Sequence, residues 1–293
     1  MPTFSPLAAT LAQHSADEMV VALGLGQAPG VLRRAVARAF YAASVPLGRI
    51  LATFDGRVAT AGLHVAAAQA LTDLDARWAC GQRLPSSGPL LVVANHPGAY
   101  DALVLLAAMC RDDVAIIAAD RSFLHALPTF SNHLLLGAQA SAGATSLRKA
   151  LRHLARGGVV LHFGAGRIEP DPAFTKQRLP VLLKWSAGTG TLVRGAAAVN
   201  GAVVGALVSG VHSPRAKRLL CNRVAEYFGV TTLAPLLQVA LRRYHDVQAH
   251  AVFTELQPAA CLACVGQSDA MVAEQVRSLV AQLHENTQNG RSP

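Results

Sequence analysis

Three short apolar runs constrain this chain more than any other feature: LLVVA at 90–94, VAIIAA at 114–119 and VVLHF at 159–163. Each is of strand length and nearly continuous in apolar residues, the character of strands buried on both faces. Helical stretches lie between them. HPGAYDALVLLAAMC follows the first run, and TSLRKALRHLARGG at 145–158, stopped by two glycines, leads into the third. Such alternation predicts an α/β fold with a mostly parallel mixed sheet covered by helices on both faces. In sheets of this kind reactive groups gather beyond the carboxyl ends of the strands.

Other segments fill in the chain. Residues 16–79 read as an N-terminal helical region, with apolar residues at helical spacing over 31–51 and arginines at 33, 34, 38 and 49 between them; a second helix is expected over 58–78. This region is either a cap packed on the main domain or a basic amphipathic surface resting on anionic lipid. GQRLPSSGP at 81–89 concentrates turn residues and marks a boundary, so a helical region 1–79 and an α/β domain 80–293 are expected. A helix is expected near 180–186, a helical stretch through Leu241, a strand at 248–253 and a last helix over 268–285. The uncharged segment GAAAVNGAVVGALVSGV at 195–211 is barely long enough to cross a bilayer. Its Asn200-Gly201 turn signal favours one or two buried strands instead.

Composition narrows the function classes. Hydrophobic residues make up 52% of the 293 and charged residues 15%, which excludes a disordered chain. The net charge of +9 favours phosphates, acidic carriers or anionic lipid as partners. No nucleic-acid partner is expected, because basic residues come in short scattered pairs, aromatics are 5%, and no DNA- or RNA-binding signature is found. Cys80, Cys110, Cys221, Cys261 and Cys264 are too irregular for a disulfide framework and point to a reducing compartment. CLAC at 261–264 has redox or zinc spacing but no companion ligands, so ordinary buried thiols and no metal are expected. The N-terminus does not read as a secretory signal.

The candidate site lies where the first strand gives way to helix. His96 follows LLVVA directly, Pro97 suits a first helical turn, and Asp101 comes just over one turn later. Asp101 can then bond one ring nitrogen of His96, setting the tautomer and leaving the other nitrogen to take a proton. Backbone N–H groups around 97–99 could stabilise developing negative charge. His162 within a strand reads as a core histidine, while His153 and Arg152 read as a solvated helix face and His245 and His250 as surface. By itself the five-residue spacing of His and Asp is weak.

Its surroundings are specific. VVANHPGAYDALVLL resembles the NHxxxxD block of the glycerolipid acyltransferase superfamily, the 1-acylglycerol-3-phosphate acyltransferases and their relatives. AADRSFLHALPTF at 118–130, ALRHLARGGVVLHFGAGRIEPDP at 150–172 and GALVSGVHSPRA at 205–216 resemble the later blocks in order, so the likeness covers about residues 80–260. The resemblance implies an O-acyltransferase moving a fatty acyl group from acyl-CoA or acyl carrier protein to a hydroxyl of a lysophospholipid or related lipid. It implies His96 as general base, Asp101 as its partner, no cofactor beyond the acyl donor, and a cytoplasmic location on the inner face of the membrane. Two departures matter. Ala165 stands where the family's third block carries Glu, and GAQASAGAT at 137–145 lacks the family's arginine. Arg167, or else Arg121 or Arg148, is then the candidate anion contact, and Gly164 and Gly166 suit a backbone pressed close to a ligand. The missing anchors also allow a catalytically inactive lipid- or carrier-binding protein on the same fold, or a thioester hydrolase.

Overall fold

The computed structural model describes residues 5–98, 100–137, 140–175, 181–220, 222 and 233–288. Helices α1 (Pro6–Ala22), α2 (Gly30–Ala61) and α3 (Leu63–Asp73) open the chain, followed by β1 (Arg77–Cys80), β2 (Leu90–Ala94), α4 (Asp101–Met109) and β3 (Val114–Ala118). Next come α5 (Ser122–His125), β4 (Leu134–Leu136), α6 (Ala140–Ala155), β5 (Val159–Phe163), α7 (Ala187–Ala198) and β6 (Ala202–Ser209). The remainder comprises α8 (Pro214–Arg218), α9 (Leu233–Ala240), β7 (Gln248–Phe253), β8 (Gln257–Pro258), α10 (Ala259–Leu262) and α11 (Asp269–Gln288).

Two compact units result. One contains Met1–Trp78, Arg121–Asn132 and His212–Gln248; the other contains Ala79–Asp120, His133–Val211 and Ala249–Pro293. The first unit thus gathers two later stretches besides the N-terminal helices. Buried Asp55 on α2 holds one of them, accepting the N–H groups of Thr129 at 3.0 Å and Phe130 at 2.8 Å, while the Phe54 and Phe130 rings meet edge to face. The expected helices over 31–51 and 58–78 are replaced by one helix running through Pro46 to Ala61, a break at Gly62 with φ +90°, and a shorter helix. An internal proline removes a single hydrogen bond, whereas a left-handed glycine turns the chain out of the helix. His250 is exposed as expected, but His245 is mostly buried, 3.4 Å from the Asp75 carboxylate.

The second unit carries the sheet, ordered β1-β7-β6-β2-β5-β3-β4 with β8 beside β6. Strand β2 pairs in parallel with β5 and β6, and β3 with β5 and β4; β7 and β8 join β6 antiparallel. The fold is therefore the expected α/β arrangement. All five residues of β2 and of β5 are buried. Leu91 and Val93 of β2 join Leu154 of α6, Leu192 and Val193 of α7, and Val276 and Val280 of α11 in one core. By strand alternation Leu90, Val92 and Ala94 turn to the opposite face, and α4, which packs by β6, has Val104, Leu105 and Leu106 fully buried.

Two expectations are corrected. Residues 181–186 form no helix, because Leu182 and Trp185 are buried while the Leu183 and Ser186 N–H groups are committed to Glu169 and the Gly164 carbonyl; Pro180 lies outside the described residues. Within 195–211 the first part ends α7, and only after the turn at Asn200 (φ +52°) and Gly201 does a strand follow. No helix among the described residues is long and apolar enough to cross a membrane.

Candidate active site

The end of β2 is locked before the reactive residues begin. Ala94 is in register with Phe163 of β5 and Ala206 of β6. Asn95 then extends the ladder with its side chain: Nδ2 donates to the Val208 carbonyl at 2.9 Å and Oδ1 accepts the Val208 N–H at 2.7 Å. The amide copies a backbone pair, so the next residue leaves the sheet at a fixed place and direction. That residue is His96, whose ring stacks against Phe163 at 4.2 Å between centroids.

His96 and Asp101 face each other. Nδ1 lies 2.7 Å from Asp101 Oδ2, a charge-assisted distance. Asp101 is itself buried and anchored, Oδ2 accepting the Gly98 N–H at 2.8 Å and Oδ1 the Ala102 N–H at 2.6 Å. Gly98 reaches that donor position at φ +86°, a conformation other residues rarely adopt. With Asp101 accepting, Nδ1 carries the proton and Nε2 is the basic nitrogen. The His96 side chain is 28% exposed, against 3% for Asp101, and Nε2 has no hydrogen-bond partner among the described residues. Neither Pro97 nor Gly98 offers the anion-stabilising N–H expected of the backbone at 97–99. Pro97 has no N–H, the Gly98 N–H is used by Asp101, and Ala99 lies outside the described residues.

A third carboxylate completes the site. The Glu169 N–H donates to the His96 carbonyl at 2.7 Å, and Glu169 Oε2 accepts the His96 N–H at 3.0 Å. Its Oε1 accepts the Leu183 N–H at 2.8 Å and the Trp185 indole N–H at 3.3 Å. Glu169 has no assigned role in the sequence alone, where Ala165 stands at the acidic position of the third block. The chain turns at Gly166 (φ +64°) before reaching Glu169. Nearby Asp171, also buried, binds the loop after β6 by accepting the Gly210 N–H at 2.8 Å.

Charge around His96 favours its protonated form. Burial, the largest single influence, opposes protonation, but the hydrogen bond and charge of Asp101 together with the charge of Glu169 outweigh it and raise the imidazole above its ordinary value. Burial likewise raises Glu169, against three donated hydrogen bonds and the His96 charge that lower it.

No described protein family and no curated protein matches the sequence. A solved structure is similar in fold. It is the crystal structure of the 1-acyl-sn-glycerophosphate (LPA) acyltransferase PlsC from Thermotoga maritima, at a TM-score of 0.48 and 14% identity, covering 94% of this chain and 95% of that one.

The other expected site residues divide. Gly164 is pressed close, but by protein: a Cβ there would lie 2.2 Å from the Trp185 ring, so the indole occupies the space a ligand was expected to fill. Gly166 is open, with nothing within 4 Å of a Cβ position. Arg167 beside it is exposed and has no ion-pair partner among the described residues. Arg121 belongs to the other unit, where it pairs with Glu18 at 3.5 Å. Arg148 and Arg152 are exposed on α6, whereas His153 is half-buried, its ring 2.7 Å from the Asp113 carbonyl. His162 is buried with Nε2 3.1 Å from the Thr189 hydroxyl, and burial pushes it down to about 4, so it stays neutral. No group of three or more potential metal ligands is found among the described residues.

Proposed function

We propose that the protein is a peripheral O-acyltransferase moving a fatty acyl group from acyl-CoA or acyl carrier protein to a hydroxyl of a lysophospholipid or related lipid, with His96 as general base. The observation that carries this reading is the His96 ring itself: Nδ1 tied to a buried, doubly anchored Asp101 and Nε2 unbonded on a part-exposed ring at a strand end. The resemblance of the NHPGAYD segment to the NHxxxxD block supplies the reaction class.

In this reading Nε2 takes the acceptor hydroxyl proton as the oxygen attacks the thioester carbonyl. The tetrahedral adduct collapses, the C–S bond breaks, and the leaving thiolate recovers the proton from the imidazolium. Asp101 keeps the ring in its tautomer and offsets the imidazolium charge. General-base assistance of this kind is worth about 10²- to 10⁴-fold, or roughly 2.7–5.5 kcal/mol of barrier. Arg167, exposed and without an ion-pair partner among the described residues, is the candidate to hold an anionic acceptor.

The lipid acceptor calls for membrane contact, and α2 offers it on the cytoplasmic face. Val31 and Leu32 at its start are 74% and 49% exposed, next to exposed Arg33, Arg34 and Arg38. Apolar side chains for the acyl boundary beside cations for anionic headgroups fit an interfacial helix end.

Free thiol released from acyl-CoA, measured with and without lysophosphatidate, tests the assignment. Acceptor-dependent release that disappears in a folded His96→Ala variant is expected. Release indifferent to acceptor means hydrolysis, and no release with retained liposome or carrier binding means an inactive binding protein. Turnover by His96→Ala at the parent rate removes the dyad from the chemistry.

A further inference from the structure

The second unit holds a cavity of about 700 Å³ that the site above does not use, formed where α10 and α11 meet residues 184–185. Its size falls within the roughly 300–1,000 Å³ of small-molecule sites. Trp185, Leu262, Met271 and Leu279 make an apolar wall. Met271 is 54% exposed, and its thioether adapts to irregular apolar partners. Lys184 at the wall is exposed and has no ion-pair partner among the described residues. The acid facing the cavity, Glu274, is already engaged by Arg277, whose Nε lies 2.8 Å from its Oε2 and whose Nη2 bonds Oε1. Arg277 first and Lys184 second both hold the Glu274 carboxyl below its ordinary value, so two cations face one carboxylate and a net positive charge remains at Lys184, beside a surface suited to a hydrocarbon chain.

We propose that this cavity binds a single-chain anionic amphiphile of the fatty-acid carboxylate class, its head against Lys184 and its chain against Trp185, Met271 and Leu279. The proposal concerns binding alone and does not rest on the acyl-transfer reading. It has a consequence for the site nonetheless. The Trp185 indole N–H is hydrogen-bonded to Glu169, and Glu169 accepts the His96 N–H. An occupant packed on Trp185 therefore presses on a side chain one hydrogen bond removed from the residue that positions the His96 backbone.

The protein has two tryptophans, so Trp78→Phe leaves Trp185 as the only reporter. Titration of that variant with dodecanoate below its micelle concentration is expected to change the emission saturably. Lys184→Gln should weaken dodecanoate about two- to fivefold, as for an exposed ion pair, and leave dodecanol binding unchanged. Ala270→Phe, filling the cavity from an exposed wall position, should weaken both at least about tenfold. If circular dichroism shows that variant unfolded, Met271→Glu carries the same test. Site-resolved alkylation supplies a control: Cys261 lines the cavity, whereas Cys264 is exposed outside its lining. Dodecanoate should protect the first and not the second. Unchanged Trp185 emission, equal protection of the two thiols, or parental binding by a folded cavity variant would overturn the proposal.

Discussion

Glu169 grips His96 by its backbone from both sides: its N–H meets the His96 carbonyl at 2.7 Å and its carboxylate takes the His96 N–H at 3.0 Å. This pairing joins residues 73 apart in sequence and holds the loop that carries the imidazole. Glu169→Ala would leave the N–H groups of His96 and Leu183 and the Trp185 indole without their acceptor. A buried donor left unpaired costs about 1–3 kcal/mol, so a stability loss of about 3 kcal/mol or more is expected in urea unfolding. Glu169→Gln keeps one acceptor oxygen and should lose less. In the proposed reaction both variants should lower kcat more than they raise KM, since the loop that aims His96 is loosened.

The rate of acyl transfer should rise with pH, because only neutral His96 can accept a proton. Asp101 and Glu169 hold the imidazole above its ordinary value of 6.5, so the midpoint of the rise in kcat/KM should lie above that value. Asp101→Asn removes the nearer negative charge. The midpoint should move down while kcat falls by about 10²-fold or more. The linked effect on stability has the opposite sense in pH: the contribution of the His96 interaction is fully present below 6.5 and is lost as pH rises through the raised folded value. The stability difference between parent and His96→Ala, measured by denaturant unfolding, should shrink over that interval.

Gly164 tolerates no side chain. A methyl at this position would meet the Trp185 ring at 2.2 Å, and overpacking of a close-packed interior costs about 1–3 kcal/mol. Gly164→Ala should lower the melting temperature and alter Trp185 emission. Adding Trp185→Leu to Gly164→Ala should recover part of the packing loss, which a double-mutant cycle measures.

The exposed start of α2 should govern vesicle binding. Replacing Arg33, Arg34 and Arg38 together by Glu is expected to weaken association with anionic vesicles by at least about tenfold. Sedimentation with phosphatidylserine-containing vesicles at low and high salt reads this, and the effect should diminish as salt screens it. Val31→Asp with Leu32→Asp should weaken binding at both salt concentrations.

The cysteines of CLAC show how a composition argument can mislead. Cysteine is commonly buried, so Cys261 and Cys264 were expected in the core, yet both are exposed. Cys261 lies in the four-residue helix α10 and Cys264 two residues past its end, and a helix so short has no periodic apolar face that would place them from sequence.

Strands β2, β3, β5, β6 and β7, the α/β class and the His96–Asp101 pair are legible in local sequence, whereas β1, β4 and β8 are not. Strands buried on both faces read as nearly continuous apolar runs, and two side chains five residues apart across a strand-to-helix turn meet through local geometry. The rest of the site depends on long-range contacts. Glu169, the ladder-extending role of Asn95 and the closing of Trp185 over Gly164 all arise from contacts between distant segments, which leave no periodic trace in the chain. The same cause accounts for residues 181–186, which read as helix but form none, the Leu183 and Ser186 N–H groups being claimed by Glu169 and the Gly164 carbonyl. Local periodicity records which side chains must be buried; partners for individual buried polar groups are chosen only when the sheet brings its loops together.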